Sequence, residues 1–276
     1  MRDFARRHPV LVYVVLSYAL SWAYWIPLAR SGAVVTPGGS ASHFPGLLGP
    51  AVAAFLTTAL LSGRAGMRTL AARSWLVSRP PSRFWGYALS PVAFLALALL
   101  IAGMLDRRPP WSDFTLFSGL PPLPLAAVLL LVLLFNGYGE EIGWRGFLLT
   151  RLLPRYGTVR SALLVAAVWA GWHAPTFWTI EGYRSMSIPI LLGGFGLGLC
   201  AGSIVLAHIA TRTQGSILGA AVWHLAYNMS AATTAGRGIV GAVTTACVEA
   251  WAVIIVIQEV RGLRAGRRHQ LGDAAR

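Results

Sequence analysis

Eight apolar runs follow one another along the chain, and each is long enough to be a membrane-spanning helix. A helix rises about 1.5 Å per residue, so roughly 20 apolar residues cross the ~30 Å hydrocarbon core of a bilayer. Helices also satisfy their own backbone hydrogen bonds, which lipid cannot do. The pattern therefore predicts an all-α membrane protein with about eight transmembrane helices in one bundle. The runs cover residues 10–30, 44–62, 84–105, 123–149, 161–178, 188–211, 215–233 and 239–260.

The segments between the runs are polar, bear arginine, or are rich in proline and glycine, and none is long enough for a soluble domain. We therefore predict a single transmembrane domain over residues 1–276. The segment 106–122 carries four prolines, which predicts an irregular loop. The polar residues 262–276 are predicted to form a disordered tail.

Composition supports a membrane protein, and the placement of charge predicts its topology. The chain is 56% hydrophobic and 12% charged, whereas about a quarter of a soluble domain is charged. A net charge of +14 could indicate nucleic-acid binding, but every basic residue is arginine and most lie in short loops without forming a basic helix face. With a cytosolic N-terminus, 17 of the 23 arginines fall on the cytosolic side and 5 on the outer side. This bias predicts that both termini are cytosolic. We expect an integral protein of the bacterial plasma membrane that does not bind nucleic acid.

Charged residues interrupt the fourth run. Glu140, Glu141 and Arg145 lie at predicted membrane depth, where each charge costs roughly 2.5–3.5 kcal/mol. Glu141 and Arg145 are four residues apart, so they can pair along one helix face. Glu140 lies about 100° further round the helix and is free for another role.

Two further polar points lie in other apolar runs. His173 is in the fifth run, and His224 and Asn228 are one helical turn apart in the seventh. Counted from the predicted inner helix ends, Glu140, His173 and His224 lie about 14–18 Å deep at 1.5 Å per residue. We therefore predict that three helices bring these side chains together near the middle of the bilayer.

Hydrolysis is the chemistry that suits this set of side chains. A carboxylate in an apolar pocket can take a proton from water, and a nearby imidazole can hold the same water. A histidine and an asparagine amide can donate to a developing oxyanion. The sequence requires no cofactor, but Glu140, His173 and His224 could instead hold Zn²⁺ as a His₂Glu site. The spacing His-Glu-x-x-His, which would indicate such a site directly, is missing.

Three short motifs, in this order and on apolar runs, resemble those of the CPBP family. This family comprises the CAAX prenyl endopeptidases and the bacteriocin-processing (Abi) membrane proteases. The resemblance covers roughly residues 123–233, which it identifies as a catalytic core. The motifs are Glu140-Glu141-x-x-x-Arg145, Trp169-x-x-x-His173, with tryptophan where the family usually has phenylalanine, and His224-x-x-x-Asn228.

The resemblance implies an eight-helix intramembrane peptidase and assigns roles to its residues. Glu140 would be the general base, and His173 would position the water. His224 and Asn228 would form the oxyanion hole. The family is often described as metalloproteases, and a metal-free glutamate mechanism has also been argued. Two further residues, Glu141 and Arg145, would support the site.

The predicted function is that of an intramembrane endopeptidase within the lipid bilayer. Its substrate would be a membrane-associated peptide or protein that is lipidated (CAAX-like) or bears a leader. The alternative is a non-catalytic membrane protein of the bacteriocin self-immunity or scaffold type, in which the polar cluster serves assembly. A proton-coupled transporter is a third possibility, although no inverted repeat is visible. Nothing in the pattern indicates an oligomeric state.

The remaining polar residues inside apolar runs are predicted to be structural. We expect His208 and Glu249 to make packing or interhelical contacts. The serines Ser17 and Ser21, with the aromatic residues 22–25, fit an outer interface belt. The glycines between 193 and 198 are predicted to form a helix-packing surface.

Overall fold

The computed structural model describes the backbone of residues 2–75, 84–213 and 215–274, and the side chains of residues 3–75, 84–213 and 215–262. Over this part of the chain the structure is helical, and the strand-type pairings are three isolated β-bridges. This confirms the all-α prediction. We number the main helices α1 Pro9–Arg30, α2 Phe44–Trp75, α3 Ser90–Met104, α4 Leu125–Trp172, α5 Ile190–Arg212, α6 Ile217–Ala231 and α7 Ile239–Ala274.

Five of these segments are long and apolar enough to cross a membrane: α1, α2, α4, α5 and the stretch Ile239–Gly262 of α7. Helix α3 is apolar but has 15 residues, as has α6. The five long apolar segments support the prediction of an integral membrane protein. The count of eight spans and the cytosolic position of the termini stay predictions.

Two glycines with positive φ break long helices. Gly63 has φ 60° and ψ −153°, and Gly157 has φ 70° and ψ 179°, a backbone conformation that glycine adopts readily because it has no Cβ. The break at Gly157 divides α4 into a first arm, residues 125–156, and a second arm, residues 158–172. A hydrogen bond from Trp169 back to Glu140 shows that the two arms fold onto each other. The predicted fourth run, 123–149, therefore ended seven residues too early.

The second arm of α4 ends earlier than the apolar pattern indicated. The predicted fifth run reached residue 178, but the helix ends at Trp172 and a 3₁₀ turn follows over Ala174–Trp178. Pro175 lies in this turn and cannot continue the helix, because it lacks the backbone N–H. His173 therefore lies at the junction between helix and turn, and its backbone N–H donates to the carbonyls of Trp169 and Ala170.

The loops at this end of the bundle contact one another. The predicted irregular segment 106–122 contains a 3₁₀ turn over Trp111–Thr115. It also pairs with other loops through the bridges Pro37–Ser118 and Phe117–Thr233. At the C-terminus the helical backbone of α7 reaches Ala274. The predicted disordered tail, 262–276, lies almost wholly beyond the residues whose side chains are described, so its disorder stays a prediction.

An aromatic core holds α1 against both arms of α4. Tyr13, Trp25, Trp144 and Trp172 are fully buried. The rings of Trp25 and Trp172 lie 4.5 Å apart, and those of Trp144 and Trp172 lie 5.6 Å apart. Helix α2 also packs closely here, since a Cβ added at Gly143 would lie 2.7 Å from the carbonyl oxygen of Pro50. This packing fixes the arm of α4 that carries the adjacent glutamates.

Candidate active site

Glu140 and Glu141 lie in a single α-helical turn, Gly139–Glu141, between two π-helical segments. The segments are Leu133–Tyr138 and Ile142–Leu149. Short π-helical insertions within α-helices occur frequently at functional sites, because they change the direction of side chains along one helix. Both glutamates are buried, with exposed fractions of 2% and 0%.

Glu141 binds two partners through one carboxylate oxygen. Its Oε1 accepts from Nη1 of Arg145 at 2.9 Å and from Nδ1 of His224 at 2.8 Å. A carboxylate can only accept, so Nδ1 of His224 carries a proton and Nε2 faces away from Glu141. The pairing of Glu141 with Arg145 confirms the contact predicted from their spacing. The contact with His224 joins residues 83 positions apart, and the sequence did not indicate it.

Trp169 connects Glu140 to His173. Its indole N–H donates to Oε2 of Glu140 at 2.8 Å, and its backbone carbonyl lies 2.8 Å from Nδ1 of His173. A carbonyl accepts, so Nδ1 of His173 carries a proton and Nε2 of the neutral ring is an acceptor. The Trp169 and His224 ring centres also lie 5.5 Å apart. The guanidinium carbon of Arg145 lies 4.8 Å from the centre of the Trp169 ring. Trp169 thus contacts every motif of the site.

A cavity of about 900 Å³ brings the predicted catalytic residues together. Glu140, His173, His224 and Asn228 all line it. Asn228 is half-buried, and its side chain has no hydrogen-bond partner among the described residues. The two predicted supporting residues, Glu141 and Arg145, lie behind the wall. The structure therefore gathers the predicted side chains around one space, while their catalytic roles stay predictions.

Several residues of the cavity wall were not predicted. Asn136, His43 and Tyr183 line it, and His43 and Asn136 are buried with exposed fractions of 6%. Asn136 lies one helical turn before Glu140, which is a signal that the sequence offers. His43 precedes α2 in a loop, where no periodicity marks it. Burial and the nearby His173 lower the pKa of His43 to about 3, so its ring is neutral.

The interpretation of the α1 residues as an interface belt was wrong for three of them. Ser17, Ser21 and Trp25 are fully buried. Ser21 accepts from the indole N–H of Trp172 at 2.7 Å and donates to the carbonyl of Gly46 at 2.7 Å. These bonds hold Trp172, the residue before His173. Ser21 therefore helps to position the site, because a polar group in an apolar bundle must find a partner, whereas Ser17 donates to the carbonyl of Tyr13 within its own helix.

Two other predictions for isolated residues had different outcomes. His208 is buried against the ring of Tyr87, 5.6 Å away, in agreement with a structural role. Glu249 is partly buried and lines the cavity, which the sequence did not predict, and its interhelical contact stays a prediction. Gly193 and Gly194 also line the cavity, and a Cβ added at Gly193 would meet no atom within 4 Å. The predicted packing surface was therefore wrong at Gly193.

A metal site was the open alternative for Glu140, His173 and His224. Within the described ranges, no three His, Cys, Asp or Glu side chains are arranged to hold a metal ion. The Nδ1 atoms of both histidines already have protein partners. We therefore derive no step through a metal, and the Zn²⁺ alternative stays a prediction.

Comparison with known proteins gives two related matches. Residues 122–230 match the family model of the Rce1-like type II CAAX prenyl endopeptidases. A protein named CAAX prenyl protease 2, from Methanococcus maripaludis, is 28% identical over 148 residues. That alignment covers 51% of this chain and 54% of the relative, so it spans about half of each protein. The resemblance inferred from the three motifs is confirmed over the matched residues.

Proposed function

Because residues 122–230 match the family model of the Rce1-like type II CAAX prenyl endopeptidases, we propose that this protein is an intramembrane endopeptidase. Its substrate is a membrane-associated peptide with a lipidated, CAAX-like end. The observation that carries the proposal is the position of Glu140. It is a buried carboxylate on the wall of a cavity that also holds His173, His224 and Asn228.

Two acceptors on the cavity wall suit one water molecule. The carboxylate of Glu140 accepts one water proton, and Nε2 of His173 accepts the other. A water held in this way has a lone pair free to attack the carbonyl carbon of the peptide bond. Glu140 takes the proton as the bond forms, and it passes this proton to the leaving amine when the tetrahedral intermediate collapses. Trp169 keeps both acceptors in place, because it binds Glu140 through its indole and His173 through its backbone.

Two other residues of the cavity wall, Asn228 and His224, supply the donors that a developing oxyanion needs. The Asn228 amide donates without any change of protonation. His224 donates from Nε2 when its ring carries both protons, and the Glu141 carboxylate next to Nδ1 stabilises that charged ring. Arg145 in turn pairs with Glu141 at 2.9 Å and holds its carboxylate in position. Such donors act strongly in a site that excludes water.

Substitution of the proposed base tests the function. We expect Glu140→Gln to lower kcat for a farnesylated CAAX peptide about 10³-fold, because a general base contributes roughly 10²–10⁴-fold. Glu259→Gln is the matched control, since Glu259 lies on α7 and does not line the cavity. Cleavage would be followed by mass spectrometry of the purified protein in detergent, with thermal unfolding as the check on folding.

The outcomes separate the candidate functions. A Glu140→Gln protein that folds normally and retains kcat within threefold contradicts the role of Glu140 as base. If the protein is instead a non-catalytic scaffold, the unsubstituted chain should cleave no peptide at all. Metal analysis of the active preparation, with a chelator added in parallel, tests the Zn²⁺ alternative.

A further inference from the structure

Glu249 is a carboxylate in the middle of a membrane-spanning helix, without a cationic partner among the described residues. It lies ten residues after the start of the Ile239–Gly262 stretch and thirteen before its end. The three ion pairs of the described chain use Glu141 or Glu181 as the acid. An acidic side chain at this depth is costly and is retained where it has a partner or a function.

The side chain of Glu249 faces the same cavity as Glu140. The residues that precede Glu249 by one, two or more helical turns lie on the same face of α7, and most of them are small. Helix α5 contributes glycines at 193, 194 and 198 to the same cavity wall. We call this stretch of wall, where α5 and α7 meet, the groove; the two helices are in contact there, since a Cβ added at Gly198 would lie 3.3 Å from Cγ2 of Thr245. The α7 residues that line it with Glu249 are Gly241, Ala242, Thr245 and Ala246, and Gly238 lines it just before the helix begins.

The groove is connected to the proposed oxyanion donors. The hydroxyl of Thr245 lies 3.1 Å from that of Tyr227, which directly precedes Asn228. Glu249 is one helical turn from Thr245, so it lies on the same face of α7. The basic residue on this wall, Arg237, pairs with Glu181 at the mouth and is twelve residues from Glu249, or about 18 Å along a helix. Arg237 is therefore too far away to form an ion pair with Glu249.

We propose that Glu249 is a binding subsite for a lysine or arginine side chain of the peptide substrate. The inference rests on the proposed endopeptidase function. A cation is the ligand that an unpaired carboxylate in an apolar wall binds most strongly, because both charges leave water together and interact at short range. A sphere with the volume of the cavity, about 900 Å³, is roughly 12 Å across, and an extended peptide advances about 3.3–3.6 Å per residue. On this scale we expect the basic residue about four residues from the cleaved bond.

Paired peptides test the subsite in the full-length purified protein. Farnesylated CAAX peptides carry one lysine, moved through the six positions before the modified cysteine, and each has a norleucine counterpart of similar length. In one position we expect KM for the lysine peptide to be about tenfold lower than for its counterpart. Glu249→Gln should abolish this difference, and Glu249→Lys should transfer the preference to a peptide with glutamate in that position. Glu259→Gln, on the same helix outside the cavity, should keep the original preference.

A binding measurement separates failure of the subsite from failure of the proposed function. Fluorescence anisotropy gives Kd for labelled lysine and norleucine peptides with Glu140→Gln protein, with and without Glu249→Gln. If the protein cleaves no peptide but binds the lysine peptide more tightly when Glu249 is present, the endopeptidase function is refuted and the proposed subsite is retained. Equal Kd and KM ratios with glutamate and glutamine at position 249 overturn the subsite. A complete absence of lysine preference at all six positions overturns it as well.

Discussion

The ion pair between Glu141 and Arg145 allows a quantitative test of how this site is held together. Both side chains are buried, with exposed fractions of 0% and 1%, and their charged atoms lie 2.9 Å apart. Removal of one partner leaves the other charge buried without its counterion, which typically costs 3–5 kcal/mol. Replacement of both by uncharged side chains of similar size removes this penalty.

We expect Glu141→Gln and Arg145→Met each to lower the free energy of unfolding by about 4 kcal/mol. Independent effects would sum to about 8 kcal/mol, whereas the double variant leaves neither charge unpaired and should lose only about 1 kcal/mol or less. Glutamine keeps an oxygen that can accept from Nδ1 of His224. Methionine keeps an apolar contact with Trp169, over which the guanidinium now lies. The substitutions therefore remove charge while they largely preserve shape.

The assay is SDS unfolding of the four detergent-solubilised proteins, followed by tryptophan fluorescence, with thermal unfolding as an independent measurement. The coupling free energy is the difference between the double variant and the sum of the single variants. A coupling within about 0.5 kcal/mol of zero would refute the reasoning, because it is the value expected for residues that do not interact.

Two further predictions address the oxyanion donor and the packing of the helix behind it. Asn228→Ala should lower kcat for the farnesylated peptide about 10²-fold with little change in KM, because the lost donor acts on the transition state. A kcat within threefold of the original would contradict this role. Gly143→Ala should lower stability by about 1–3 kcal/mol, since the new methyl group would lie 2.6 Å from Cβ of Pro50. Gly86→Ala is the control, because its methyl group meets no atom within 4 Å. Equal melting temperatures of the two variants would contradict the close approach of α2 and α4.

The sequence by itself determined the class of the protein and its local pairs. Long apolar runs predict helices because lipid offers the backbone no hydrogen-bond partners. The pairing of Glu141 with Arg145 followed from a spacing of four residues on one helix. Each of these depends on neighbours in the chain, so no tertiary information was needed. The end of α4 at Trp172 was not predicted, because the apolar run continues to residue 178, although Pro175 within that run cannot continue a helix.

The tertiary structure decided which side chains meet around the cavity. It placed Trp169 between Glu140 and His173, joined His224 to Glu141, buried Ser21, and turned Glu249 toward the site. None of these contacts could be read from hydrophobic periodicity, because the lipid-facing and packed faces of a membrane helix are both apolar. In a soluble protein, the face of a helix that contacts water is polar, so the pattern of polar and apolar residues shows which face is buried. In this bundle only the packing of the helices determines which side of each one faces inward.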